Sequence, residues 1–434
     1  MSLERTQSRS HARRRGRKAR RRAIALIIIV IVLAALGFGV YHLITDVFLA
    51  DPTSSPSAAP EEGEETVPEE SPPAPVEIDI VCVGDIIVHS PQIEAANRGN
   101  GNYDFSEYFP YVRPYIESAD LAVCNLELTF GGEPYSGYPM FSTPDPLAAT
   151  LKDVGFDVGI TANNHMLDSG PDGIARTIGV ASDAGLLVTG SVRDASEKDW
   201  LVTEVKGVRI GVVAYTYETP GRTINGISMS DATRAVINSF GLDTLDADMQ
   251  EVKRSMDGAR ADGAEILICV FHWGNEYERQ PNDAQRRVAE SAAEFGADVI
   301  FASHPHVLQP FELITSPATG RQTPVFWSMG NFISNQRTET LDTSMAKYTE
   351  QGIIARVLLT YDPADRALEG GRASYIPTWV DKYNNGTRNV FTVAPLEAGY
   401  ESNPDIAASG HADRAGQALA EIHELLGPEE GILF

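Results

Sequence analysis

The stretch Gly296-Ala-Asp-Val-Ile-Phe-Ala-Ser-His-Pro-His-Val-Leu-Gln-Pro310 decides how the rest of the chain is read. Residues 298–302 read as a buried strand that breaks at Ser303 and then presents His304 and His306. Alternate side chains on an extended backbone point the same way, so both imidazoles are expected to aim at one point. Pro305 between them fixes its own backbone angle and discourages a helix. Neutral imidazole is the commonest protein metal ligand, and two held rigidly at the carboxyl end of a strand suit a metal. An isolated His-x-His is read equally well as a pair of exposed loop histidines. The balance tips because similar strand ends recur along the chain.

Upstream, strands are expected over 78–83, 121–124, 157–161 and 265–271. Helical patterns separate them at 143–154, 171–184, 244–262 and 282–295, the first opened by Thr143-Pro144 and the second closed by Gly185. Short apolar runs alternating with longer amphipathic segments are the signature of an α/β domain. A hairpin is expected at 200–215 around Lys206-Gly207, further strands at 324–327, 353–361 and 373–379, and a short helix at 415–426.

Five of these strands finish in residues that bind metals or position phosphates: Asp85, the Asn125/Glu127 pair, Asn164-His165, His272, and His304/His306. Such groups gather at the carboxyl ends of strands in α/β folds, where loops converge. An aspartate can bridge two cations, an amide oxygen and a second carboxylate add hard ligands, and three imidazoles complete two coordination spheres. The set resembles a two-metal hydrolytic site, in which paired ions polarise a phosphoryl group and acidify a water. Taken singly, each residue has a plainer reading. Gly-Asp after a strand is a common turn, Asn-Asn-His can cap the next segment, and a lone His272 can be a satisfied core histidine. Five coincidences in one register outweigh those readings. No Gly-x-Ser-x-Gly elbow is present, which sets a serine hydrolase aside.

The chain has 434 residues, enough for a large domain with a real core, and a formal net charge of -25. Residues 1–22 hold ten Lys/Arg and the single acid Glu4, leaving 25 basic against 59 acidic residues after Arg22. The bulk of the protein therefore repels nucleic acid, which is not expected as a partner. Residues 23–44 are almost wholly apolar and long enough to span a hydrocarbon core of about 30 Å. Positive charge on their N-terminal side places the tail in the cytoplasm and everything after residue 45 outside the cell membrane. A cleaved signal peptide is the alternative, but the run is longer than a usual signal core and lacks a small-x-small site. The expectation is a single-pass anchor, then a Pro- and Glu-rich disordered linker over 45–77. The globular part is expected over 78–335, completed by the strands and helix of 336–434. Cys82, Cys124 and Cys269 lie in apolar runs and read as buried small hydrophobes rather than a disulfide framework.

Val83-Gly-Asp-Ile-Ile-Val-His89, Asn125-Leu-Glu127, Thr161-Ala-Asn-Asn-His165, His272-Trp-Gly-Asn-Glu-Tyr277, Ser303-His-Pro-His306 and Ser328-Met-Gly-Asn-Phe332 together resemble the bacterial CapA family, the poly-γ-glutamate capsule synthesis proteins with the PGA_cap domain. That family is in turn similar to calcineurin-like metallophosphoesterases. The resemblance implies an α/β/β/α sandwich with two divalent metal ions (Mn, Fe or Zn) between the sheets. It also implies membrane anchoring beside capsule polymer synthesis proteins and work on poly-γ-glutamate or a related surface polymer. Carried over by position, Asp85 matches the bridging aspartate, Glu127 or Asn125 the second acidic ligand, and Asn164 the amide ligand. His165 matches the catalytic histidine, and His272, His304 and His306 the remaining ligands. Two departures stand out. Ile87 occupies the place of a histidine two residues after the aspartate, with His89 two further on, and Asn-x-Glu replaces Gly-Asp. Two functions stay open: a metal-dependent hydrolase or transferase, and a non-catalytic accessory protein that organises polymer synthesis or export.

Overall fold

The computed structural model describes residues 74–427, 429 and 431–434. The basic tail, the 23–44 apolar run and all but the last residues of the 45–77 linker lie outside the described residues. Among the described residues no helix is long and apolar enough to cross a membrane.

The first part of the chain alternates β1 (Val76–Ile86), α1 (Ser90–Ala96), β2 (Leu121–Asn125), α2 (Pro146–Val154), β3 (Val158–Ile160), α3 (Gly170–Asp183) and β4 (Leu187–Thr189). A hairpin of β5 (Leu201–Val205) and β6 (Val208–Glu218) opens the second part. It continues with β7 (Ser239–Gly241), α4 (Leu245–Ala261), β8 (Ile266–His272), α5 (Asp283–Glu294), β9 (Val299–Ser303), β10 (Leu308–Thr315) and β11 (Gln322–Met329). The chain ends with β12 (Asn331–Ile333), β13 (Gln351–Asp362), β14 (Ala367–Asn384), β15 (Asn389–Pro395), α6 (Pro404–Ser409), α7 (Ala412–Leu426) and β16 (Ile432–Leu433).

One sheet runs β15–β14–β13–β1–β2–β3–β4, with β12 beside β1 and β16 beside β14. Strands β1 to β4 are parallel, whereas β13, β14 and β15 return antiparallel. The second sheet runs β7–β6–β8–β9–β11–β10, with β5 beside β6 and a parallel centre of β6, β8, β9 and β11.

The layers follow from the period of two. Ile78, Ile80 and Cys82 of β1 share a core with Ile210 and Val212 of β6 and Ile266, Ile268 and Val270 of β8. The intervening Val81 and Val83 turn the other way, onto Ala148, Leu151 and Val154 of α2. On the second sheet, Leu267, Cys269 and Phe271 face Val252 and Met256 of α4 and Val288 and Ala292 of α5. The order is therefore helix, sheet, sheet, helix, and each fully buried Val, Leu or Ile contributes about 1.5–3 kcal/mol. Ala415, Ala418 and Ile422 of α7 pack into the core between the sheets, so the chain end belongs to the same core.

Several bounds differ from the sequence expectations. β1 starts at Val76, inside the expected linker, because antiparallel pairing with β13 begins at Val76 and Tyr361. α2 starts at Pro146 rather than 143. β14 is an 18-residue strand where seven residues are expected, its polar ends held by pairing with β13, β15 and β16. β10 has no counterpart in the expectations; it carries Pro310, tolerated because β10 is an edge strand, where a missing N–H costs little. The three cysteines are free and buried.

Candidate metal centre

The strands that point at the site carry polar residues at or just beyond their carboxyl ends, Asn164 and His165 following β3 in this way. Asp85 sits near the end of β1, Asn125 closes β2, His272 closes β8, and His304 and His306 follow β9. The crossing of β1 and β12 is unusually close. Asp85 N–H donates to Gly330 O at 3.0 Å, and a Cβ on Gly84 would lie 1.9 Å from that oxygen. Only glycine fits there, and the close passage seats Asp85.

The two histidines of the opening stretch do converge, with ring centroids 5.8 Å apart, but not by strand alternation. His304 has φ +103° and His306 φ +58°, so the chain turns back through the left-handed region. Such angles are uncommon for non-glycine residues and cost about 1–3 kcal/mol each, held in place by their surroundings. They are found where function demands an unusual aim.

Side chains from both sheets meet here. Nδ1 of His306 lies 3.1 Å from Oδ2 of Asp85 and 3.2 Å from Oδ1 of Asn331. Nε2 of His272 lies 2.8 Å from Oδ1 of Asn164, 3.1 Å from Nδ1 of His304 and 3.6 Å from Oε1 of Glu127. Ligands about 2.1 Å from a tetrahedral ion are about 3.4 Å apart, so this spacing suits one. Two groups of donor atoms can be drawn: Asp85, Glu127 and His272, and Glu127, His304 and His306. Glu127 belongs to both, and Asp85, the bridging aspartate by resemblance, lies against His272 of the first and His306 of the second. Asn125 instead donates to Oδ1 of Asp85 at 2.7 Å.

The electrostatics call for a cation. Both carboxylate oxygens of Glu127 are buried without a hydrogen-bond partner among the described residues. An orphaned buried carboxylate is strongly disfavoured unless paired or bound to metal. Burial, then the neighbouring Asp85 charge, pushes the Glu127 carboxyl well above the usual range. Burial acts upward on Asp85 too, yet the His306 hydrogen bond and the His306 and His272 charges hold it below its ordinary value. Burial pulls the His272 imidazole down to about 3 and His304 well below its usual value. Neutral imidazoles are the protonation state that metal ligation requires, and a bound cation would draw the proton from the raised Glu127 carboxyl. The residues fit divalent ions.

His165 stands beside this cluster. Its Nδ1 lies 2.7 Å from Oδ2 of Asp168, which also accepts Phe141 N–H at 2.7 Å, and Oδ1 of Asp168 accepts from Asn225 at 3.1 Å. That arrangement fixes the ring and leaves Nε2 as the working nitrogen. His165 lines a cavity of about 300 Å³ together with Ile87, His89, Phe141, Tyr277 and His306. Ile87 is thus a wall of the cavity. His89 caps α1 through Gln92, accepts Asn335 N–H at 3.3 Å and enters neither donor group. Residue-by-residue reading of the sequence passes over Asp168, Tyr217 and Asn331. Tyr217 OH lies 3.0 Å from Nε2 of His304 and steadies that ring. The spacing His165-x-x-Asp168 is a signal that could have been followed. Tyr217 reaches His304 across 87 positions and leaves no local trace.

Fold and site together define a class: two-sheet α/β proteins that gather buried carboxylates and imidazoles where their strands end. The chain belongs to the bacterial capsule synthesis protein PGA_cap family, whose sequence model matches residues 79–336. It is 28% identical over 277 residues to capsule biosynthesis protein CapA of Bacillus anthracis, covering 62% of this chain and 63% of that one. It is 31% identical over 278 residues to PGA biosynthesis protein CapA of Bacillus subtilis strain 168, covering 61% of this chain and 66% of that one. The match thus spans less than two thirds of either relative. Among solved structures, a novel phosphatase of Mycoplasma pneumoniae aligns over 70% of this chain and 94% of its own, at 12% identity and a TM-score of 0.39.

Proposed function

We propose that this chain is a metal-dependent hydrolase or transferase of the calcineurin-like kind, acting on poly-γ-glutamate or a related surface polymer, or on its phosphorylated precursor. Residues 23–44 hold it at the cell membrane beside the polymer synthesis proteins, with the globular part outside. The observation that carries the reading is Glu127, buried, with neither carboxylate oxygen hydrogen-bonded among the described residues, and common to both groups of donor atoms. Asp85, Glu127, Asn164, His272, His304 and His306 would hold one or two divalent ions, which polarise a carbonyl or phosphoryl oxygen and supply a nucleophile at neutral pH. Tyr217 and Asn331 keep His304 and His306 in register. His165, oriented by Asp168, holds a proton at Nε2 facing the cavity and delivers it to the leaving group or to developing negative charge.

A second reading, the non-catalytic accessory protein, is favoured by one observation. Ile87 lines the cavity where the resemblance implies a histidine. One pair of variants separates the two. His304→Ala should lower metal content and stability together. His165→Ala should keep its metal and lose roughly 10²- to 10⁴-fold in turnover. If His165→Ala folds normally and retains full capsule-related function in cells, the catalytic reading fails.

A further inference from the structure

The loop after β12 borders two cavities. On one side Asn335 lines the cavity of His89 and His165, and its backbone N–H donates to Nδ1 of His89. On the other side its Oδ1 accepts from Nζ of Lys382 at 2.7 Å. Lys382 belongs to a second cavity of about 420 Å³, lined also by Arg337, Glu339, Asn384, Ser409 and His411. Most of the charges there are spent on one another. Arg337 donates to Glu339 at 2.8 Å, Arg414 holds the same carboxylate at 2.6 Å, and His411 pairs with buried Asp381 at 2.8 Å.

Lys382 is the exception. Its ammonium meets a neutral amide and the face of Phe391, 5.2 Å from the ring centroid, and no carboxylate pairs with it among the described residues. Burial and then the like charge of Arg337 work against its protonated form, and Glu339, which works for it, is itself held by Arg337 and Arg414. After Arg22 the chain carries 59 acidic and 25 basic residues, so it repels anions nearly everywhere. A cation left unpaired at a cavity wall, one residue from the reaction pocket, is where an anion would be drawn in.

We propose that the cavity of Lys382 and Arg337 is a subsite for an oxyanion of the substrate, a carboxylate or phosphate one segment away from the reacting group. This rests on the reading of the His165 cavity as the reaction pocket, and it makes the substrate class polyanionic. The reacting group meets the metal centre, and the neighbouring negative charge reaches past Asn335 to the ammonium.

The test uses the purified full-length chain and a γ-linked glutamate trimer, with binding followed by calorimetry at low and high salt. Lys382→Met should weaken trimer binding roughly ten- to a hundredfold and flatten its salt dependence. Lys382→Arg, which keeps the charge, should hold affinity within about threefold. Inorganic phosphate is the second arm: displacement of the trimer from wild type but not from Lys382→Met assigns the subsite to either oxyanion, and no displacement restricts it to carboxylates. Wild-type affinity in a folded Lys382→Met protein, or no binding of trimer and phosphate by wild type, overturns the proposal. Binding is read without turnover, which keeps the two ideas separable. A chain that binds trimer through Lys382 but turns nothing over defeats the hydrolase reading alone. Metal-dependent turnover indifferent to Lys382→Met defeats the subsite alone.

Discussion

At the scale of single residues, Glu127 and His165 carry opposite experimental signatures. Without metal, the Glu127 carboxyl is raised in the folded chain and ordinary in the unfolded one. The folded state then binds more protons between those values, so its stability is full below the ordinary glutamate range and falls as pH rises toward the raised value. The depressed His272 and His304 add stability as pH rises to the ordinary imidazole range, so the Glu127 contribution is read as a difference: in chelated samples the urea midpoint of wild type relative to Glu127→Gln should fall as pH rises above the ordinary glutamate range. Asp85 is shifted the other way, and its contribution is lost only as pH falls through its lowered value, outside that window. The same Glu127→Gln protein should gain nothing from added Mn²⁺ or Zn²⁺, whereas wild type should melt higher with either. A wild-type midpoint indifferent to chelator and pH alike would remove the case for a metal centre. Asp168→Asn tests the orientation of His165. It should cost less than the roughly 10²- to 10⁴-fold of His165→Ala and move a limb of the pH–rate profile, with metal content unchanged.

At the scale of elements, the close passage of β1 beside Gly330 is the feature a single methyl group tests. Gly84→Ala puts a methyl group 1.9 Å from a carbonyl oxygen, so one of the two chains must shift. Overpacking of this kind costs about 1–3 kcal/mol, and here it should also unseat Asp85 and reduce bound metal. Urea denaturation and metal analysis on one sample check both effects, and a variant unchanged in either would mean the passage is looser than described. Much of this architecture is legible in the sequence. β8 and β9 are buried on both faces and read as the near-continuous apolar runs Ile-Leu-Ile-Cys-Val-Phe and Val-Ile-Phe-Ala. The start of α5 is written in Asn282 and Gln285, which form a reciprocal capping box. Ligand-type residues show because each follows such a run. What escapes is whatever depends on a partner distant in sequence. Pro310 hides β10 until its place at a sheet edge is known, and the left-handed turn at His304 and His306 has no glycine to announce it. The hold of Asp168 on His165 is local in sequence, but the reach of Asn225 to both comes across about 60 positions.

At the scale of the whole molecule, the expectation is topological. Protease added to intact cells should degrade the globular part, and full protection of it would defeat the outward orientation read from residues 1–44. Removing α7 should be far more damaging than its terminal position suggests, because Ala415, Ala418 and Ile422 fill the core between the sheets. Loss of cooperative unfolding in a chain ending at residue 411 would be the sign. The wide spacing of the metal-facing residues has one more consequence. Asp85 and His306 lie 221 positions apart and come from different sheets, so the full set of donors for an ion exists only once both sheets are made. Loading has to wait until the two sheets have closed on each other. A chain exported before that moment would take its cation from the surroundings of the cell rather than from the regulated pool of the cytosol. The growth medium, more than the ligand set, would then decide which metal the mature protein carries.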